Sequence, residues 1–337
     1  MAGKEGRAYL FSPSGFEVRK HYEHACQVTY LPADTPWNAR KFLDIVDPGL
    51  IIFVKYDFWF NYLKEIQKRR IPLLYISVIL SSRHYFFRWY GRWALSRLSG
   101  VTRFFVQDKN TEGLLQRNGI GNVTVAGDTR FDRVNAIAIQ AGPVEGLTEF
   151  CGGKPVFVAG SCWPPDEAVF LPLVNSPASD MKFIIAPHDT RPARVREILG
   201  QIKAKAILFS ELTPAKAAMA DVLIIDSIGL LNRLYQYATV AFIGGGFGSG
   251  LHNIQEPVTF GVPVFFGPVF RKFREATDLV SRGGAFPVKS ADELQEKMNF
   301  LLETTGAYQN ASGICRRYVK ENIGATEKII GFIGELR

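Results

Sequence analysis

The sequence predicts an α/β protein made of two doubly wound domains, each on a parallel sheet. Three observations predict it. Short apolar runs alternate with helix-length segments along the whole chain, the pattern of repeated strand–helix units. The 337 residues exceed what one hydrophobic core usually serves and suit two cores of about 150 residues each. A glycine-rich stretch, Gly244 to Gly250, directly follows the apolar run Val240 to Ile243, so its glycines lie where a buried strand ends and a helix begins.

In the first half, Ala8–Phe11, Gln27–Tyr30, Leu50–Val54, Leu73–Val78, Arg103–Val106 and Asn122–Val125 read as strands. Between them Asn38–Val46, Phe58–Arg69, Tyr85–Leu98 and Thr111–Asn118 read as helices. Val134–Phe150 changes character and reads as a linker or connecting helix, which places a domain boundary near 140 and gives domains of 1–140 and 141–337. The second half restarts with strands at Pro155–Ala159, Lys182–Ala186, Ala206–Phe209, Val222–Ile225, Val240–Ile243 and Val262–Phe265. Its helices are Arg191–Lys203, Gly229–Ala238, Asn253–Phe260, Phe273–Ser281 and Ala291–Thr304. Ligands in such sheets bind outside the carboxyl ends of the strands, here in a cleft between two facing domains. The first domain reads as one strand–loop–helix unit short, since its first strand starts at about residue 8 and runs into F-S-P-S-G-F-E.

Composition excludes several classes. No run of 18 apolar residues is long enough to span a bilayer. The start M-A-G-K-E-G-R has no apolar core of a secretory signal, which implies a cytoplasmic protein. Cys26, Cys151, Cys162 and Cys315 are scattered without ligand spacing, supporting neither a disulfide framework nor a zinc site. The net charge is +8, and Ile66 to Gln107 holds eight Lys and Arg and no acid. There Arg88, Arg92 and Arg97 interleave with Phe86, Phe87, Trp89, Tyr90 and Trp93, as suits an anionic lipid surface. An aromatic core under a solvated basic face gives the same pattern. No nucleic-acid recognition motif accompanies it.

Several strand ends of the second half carry candidate binding groups. Glycines after Ile243 let the backbone approach a phosphate, and Glu256, one turn into the next helix, is placed to accept both hydroxyls of a ribose. Gly160 and Ser161 precede an acidic helix start, where the serine serves equally as a phosphate ligand or as a helix cap. Pro187 and His188 end another strand with Arg191 and Arg194 in reach. Asp226, Ser227 and Gly229 end a third, where backbone groups face a base or ribose.

In this order G-D-T-R-F-D (Gly127–Asp132), A-G-S-C-W-P-P-D-E (Ala159–Glu167), I-I-A-P-H (Ile184–His188), D-S-I-G (Asp226–Gly229), H-N-x-x-E-P (His252–Pro257) and F-G-P-x-x-x-x-F (Phe266–Phe273) resemble the 3-deoxy-D-manno-octulosonic acid (Kdo) transferases. V-K-Y-D-F-W and Y-I-S-V-I-L-S-S-R match further family positions. The resemblance implies a GT-B fold and an inverting, metal-independent transfer of Kdo from CMP-Kdo to a lipid A precursor in lipopolysaccharide assembly. It implies no cofactor, and a peripheral place on the anionic cytoplasmic face of the inner membrane. It places Gly160, Ser161, Pro187, His188, Asp226, Ser227, Ile228, Gly229, Gly245, Gly246, His252, Asn253 and Glu256 around the donor nucleotide. Ser12, Ser14, Asp57, Ser81, Arg83 and Arg130 fall on the acceptor side.

Many family members have Arg before the His of the P-H element and an acid after D-S-I-G, where this chain has Pro187 and Leu230. The family's catalytic Glu lies in a Gly-Glu segment upstream of F-S-P-S-G, outside this sequence, so the expectation for this chain is weak or no turnover with CMP binding retained. Two other readings stay open: a UDP- or GDP-sugar enzyme of the same fold, including an epimerase, and a catalytically silent glycolipid- or nucleotide-binding relative.

Overall fold

The computed structural model describes residues 6–12, 16–17, 20–176, 180–248 and 250–336. The chain divides into two compact units, Met1–Asp128 with Gly324–Arg337, and Thr129–Ile323.

In the first unit, β1 (Arg7–Leu10) and β2 (Gln27–Tyr30) form a separate two-stranded parallel sheet. The strands β3 (Ile51–Val54), β4 (Leu73–Val78), β5 (Arg103–Val106) and β6 (Val123–Val125) form a four-stranded parallel sheet in chain order. Helix α1 (Pro36–Val46) starts where Thr35 accepts from the Asn38 N–H and Pro36 supplies a preset φ. After α2 (Phe60–Arg69) and α3 (Arg92–Leu98), α4 (Lys109–Arg117) begins at an Asp108 cap. Alternation along β4 sends Leu73 and Tyr75 into one core with Phe86 and Phe104. It sends Leu74 to the opposite face, against Phe105, Ala126 and Ala325 and Ile329 of the C-terminal helix, Ala325–Glu335.

The second unit has one seven-stranded parallel sheet. Its strands are β7 (Val156–Cys162), β8 (Lys182–Pro187), β9 (Ala206–Leu208), β10 (Val222–Ile224), β11 (Val240–Ile243), β12 (Val264–Phe266) and β13 (Ala285–Pro287), in the order β13-β12-β11-β7-β8-β10-β9. The chain lays down β7 in the middle, builds β8 to β10 on one side, then returns to build β11 to β13 on the other. The switch point therefore lies between β7 and β11, where open α/β sheets bind ligands. Both faces are covered, so β8 and β11 are buried at every residue and read as unbroken apolar runs. Helices α5 (Thr129–Ile139), α6 (Pro164–Val174), α7 (Pro192–Leu199), α8 (Gln255–Thr259), α9 (Arg274–Arg282), α10 (Ala291–Glu303) and α11 (Ala307–Asn322) surround the sheet with shorter helical turns.

Three expectations are corrected. The boundary falls at 128/129 instead of 140, and the last helix returns to the first unit instead of ending the second. The stretch read as a linker begins inside α5, whose buried Phe131 and Val134 belong to the second unit. The basic aromatic helix expected over Tyr85–Leu98 is two 3-10 turns followed by α3 alone, with Phe86 turned into the core against Phe58, Phe87 partly buried beside it, and Tyr85 and Arg88 exposed.

A candidate nucleotide-sugar site at the switch point of the second unit

Strand β7 ends in a bulge. The register with β8 shifts between Gly160 and Cys162, and Ser161 there has a left-handed backbone, φ 54°. A non-glycine residue in that region carries strain of about 1–3 kcal/mol, and such strain gathers at functional sites. Ser161 is half-buried, and no partner bonds its hydroxyl among the described residues. It does not cap α6. The cap is Trp163, whose backbone N–H donates to Asp166 Oδ2 at 2.9 Å, and the Gly245 N–H donates to the same oxygen at 2.9 Å. Asp166 is only 1% exposed and ties the end of β7 to the turn after β11. Burial pushes its carboxyl up, opposed by the two N–H donors.

The glycines there act differently from the expectation. A Cβ on Gly244 would lie 2.2 Å from the Ser161 carbonyl oxygen, and one on Gly246 would lie 2.5 Å from the Gly267 nitrogen. Gly245, at φ 88°, passes 2.2 Å from the Gly250 carbonyl by the same measure. Gly160 faces the hydroxyl of buried Tyr235, where a Cβ would sit at 2.1 Å. The triplet and Gly160 let backbones and a tyrosine converge, and the Gly245 N–H is already taken by Asp166.

The side chains around them form a connected cluster. The His188 ring, just past β8, stacks on Trp163 at 4.3 Å and on His252 at 4.8 Å, and Trp163 Nε1 donates to His252 Nε2 at 3.1 Å. Burial, then the neighbouring His188, lowers the pKa of His252. Asn253 donates to Glu256 Oε1 at 3.1 Å and accepts from the Gln255 N–H, which fixes Glu256 in the first turn of α8. Burial raises the Glu256 carboxyl, against Asn253 and the charge of Arg133. Pro187 is buried as the last residue of β8.

The D-S-I-G loop follows β10, two strands from β7 and so about 10 Å along the sheet. Asp226 accepts from both the backbone N–H and the hydroxyl of Ser210, which braces the loop. Ser227, Ile228 and Gly229 are exposed, Ile228 at 91%. Arg191 pairs with Asp189 at the surface, and Arg194 pairs with buried Glu167, so neither bonds His188.

The acceptor-side residues divide. Asp57 follows β3 while Ser81 and Arg83 follow β4, adjacent parallel strands, so they leave the same edge of the first unit's sheet. Phe11 meets Trp59 at 4.5 Å, which brings the chain before Ser12 beside the chain after Asp57. Ser14 lies outside the described residues. Arg130 belongs instead to the second unit, where it pairs with Glu275 of α9 at 3.1 Å. A 400 Å³ groove in the first unit, lined by Arg7, Tyr9, Trp37 and Lys41, includes none of the site residues above.

The sequence reading did not single out Trp163 or Asp166. The signal was available as a reversed capping pattern, an acid three residues after the residue that leaves the strand.

Residues 10–133 match the family model of 3-deoxy-D-manno-octulosonic-acid transferase (kdotransferase). The 3-deoxy-D-manno-octulosonic acid transferase of Rickettsia typhi is 27% identical over 286 residues, 82% of this chain and 61% of the relative. That of Bordetella pertussis is 24% identical over 316 residues, covering 90% and 73%. The chain is thus similar to Kdo transferases over most of its length. The chain spans about three fifths of the length of the Rickettsia proteins it matches. Its fold also matches a solved UDP-GlcNAc 2-epimerase from Neisseria meningitidis, TM-score 0.65 and 16% identity, over 98% of this chain and 92% of that one. That likeness shows the GT-B fold of two Rossmann-like units, as the sequence predicted.

Proposed function

We propose that the second unit binds CMP-Kdo and that the protein transfers Kdo to a lipid A precursor as an inverting glycosyltransferase that uses no cofactor or metal. One observation carries the reading. Residues from three separate sequence elements, Trp163, His188 and His252, meet at the switch point beside Ser161 at the end of β7, with Glu256 held one helical turn beyond. They belong to motifs that resemble those of Kdo transferases, and they stand near a half-buried carboxyl. In this reading Glu256 receives the ribose hydroxyls, and the exposed Ser227–Gly229 loop packs on the base. The Ser161 hydroxyl and histidine N–H groups face the phosphate, where charge collects as CMP leaves and where preset donors lower the barrier most.

The acceptor is assigned to the first unit, with Ser12, Asp57, Ser81 and Arg83 toward it. Trp89 is 86% exposed, and Tyr90 and Trp93 stand out beside exposed Arg88. Such rings sit well at the headgroup level of a bilayer, and each Lys or Arg near an anionic surface adds about 1 kcal/mol. We infer peripheral attachment to the cytoplasmic face of the inner membrane. No helix among the described residues is long and apolar enough to cross a membrane.

Titration calorimetry of the chain with CMP, UDP and GDP, with and without EDTA, tests the donor assignment. CMP binding that survives EDTA and is lost in Glu256→Gln supports it. A preference for UDP or GDP moves the chain to another sugar nucleotide, and indifference to all three removes the assignment. CMP release from CMP-Kdo in the presence of lipid A precursor tests turnover, for which no base is assigned here.

A further inference from the structure

We infer that Trp163 is a positioning residue of this pocket: its indole N–H holds His252 in the tautomer that accepts at Nε2 and carries its proton on Nδ1. The inference rests on the pocket being the nucleotide site proposed above, and adds a residue that sets how the site presents itself.

An indole N–H can only donate, so at 3.1 Å the facing Nε2 must be the acceptor. A neutral imidazole has one donor and one acceptor, which leaves the proton on Nδ1. Among the described residues nothing bonds Nδ1, so it is the ring's donor toward a ligand. The stack of His188 on both rings fixes their planes, at 24° to Trp163 and 27° to His252. Burial and the adjacent His188 disfavour the imidazolium, which could not accept from the indole. Trp163 is itself set by the bond from its backbone N–H to Asp166. At 38% exposure it is not a core filler, and the bond to His252 accounts for a large aromatic at that strand end. Positioning thus runs from Asp166 through Trp163 to His252. An unheld histidine divides its time between tautomers and the cation, and a ligand needing Nδ1–H binds in proportion to the competent fraction.

Five histidines make ring-labelled spectra tractable. In the full chain with ¹⁵N-labelled histidine, long-range proton–nitrogen spectra read each tautomer, with His252→Gln identifying the resonance. Wild-type His252 should be the Nδ1–H form. In Trp163→Phe, which keeps a stacking ring but no N–H, it should shift toward the Nε2–H form, and CMP should bind about three- to tenfold more weakly by calorimetry. An Nε2–H form in the wild type overturns the inference with no variant needed. So does Trp163→Phe with an unchanged tautomer or, where the wild type binds CMP, an unchanged affinity. If CMP binds neither protein while the tautomers behave as expected, the nucleotide reading fails and the Trp163–His252 bond stands.

Discussion

Asp166→Ala should destabilise the second unit by about 2–4 kcal/mol, while Asp166→Asn should cost less than about 1. The estimate follows from the two bonds at Oδ2. The Gly245 N–H is enclosed, so losing its acceptor costs the desolvation of a buried donor, about 1–3 kcal/mol. The Trp163 N–H lies nearer solvent and costs about 0.5–1.5 kcal/mol. A unit of this size shifts its melting temperature by about 2–4 °C per kcal/mol, so the alanine variant should melt about 4–16 °C lower. Asn keeps a carbonyl oxygen for both donors. Because burial raises the native pKa of Asp166, the carboxyl supports the fold in acid and loses that contribution as the pH rises through its native value. Asn cannot ionise, so it should gain on the wild type as the pH rises. Circular-dichroism melts and urea titrations of the full chain read both quantities. Asn as harmful as Ala would mean that charge matters and acceptor geometry does not. An alanine variant within about 0.5 kcal/mol of the wild type would show that the clamp contributes nothing.

Arg194→Met should destabilise by about 3–5 kcal/mol because it strands the buried Glu167 carboxylate, and the double variant Glu167→Leu with Arg194→Met should recover most of that in urea titrations. Gly244→Ala should cost about 1–3 kcal/mol, since its methyl must displace the Ser161 backbone, and a melt unchanged from the wild type would refute that packing. The native pKa of His252 lies below its ordinary value of 6.5, so the unfolded chain takes up the proton first as the pH falls through that value, and stability should decline there. Wild type minus His252→Gln, followed by urea midpoint across that range, isolates the term from His188 and nearby carboxyls. The pair Trp89→Ala and Tyr90→Ala should weaken sedimentation with anionic vesicles without lowering the melting temperature, as Trp89 is 86% and Tyr90 55% exposed.

Central strand positions were legible because parallel strands covered on both faces read as unbroken apolar runs, as Leu73–Val78 and Val240–Ile243 do. Both match residue for residue, and so do Gln27–Tyr30, which is partly exposed in its own small sheet, and Arg103–Val106. Helix α6 was visible only as an acidic start, since its body is apolar on every side and contains Pro172, which erases the 3.6-residue period. The boundary was misplaced because α5 opens on the polar T-R-F-D, and only the packing of Phe131 against Tyr318 shows which core it serves. His188, His252 and Glu256 were singled out through their motifs. That His188 touches His252 depends on β8 and β11 flanking β7, which spacing along the chain does not encode.

The glycines mark the difference between a motif and its physical work. A glycine-rich strand end is commonly read as a place where backbone meets phosphate, yet at Gly160 and Gly244 to Gly246 the missing Cβ makes room for other backbone or for Tyr235, and the Gly245 N–H is spent on Asp166. Close convergence of the β7, β11 and β12 ends lowers the floor of the switch point to bare main chain. The walls must then come from side chains that stand on that floor: Ser161 from the bulge, Trp163 just past the end of the same strand, His188 from the end of β8, and His252 and Glu256 from the returning loop and the helix it leads into. Recognition assigned to those walls can change with a single side chain, whereas a change in the floor disturbs the fold before it reaches the ligand. Floor and walls are thus separate layers of one site, and Asp166, bonded to Gly245 in the floor and to Trp163 in the wall, is where they meet.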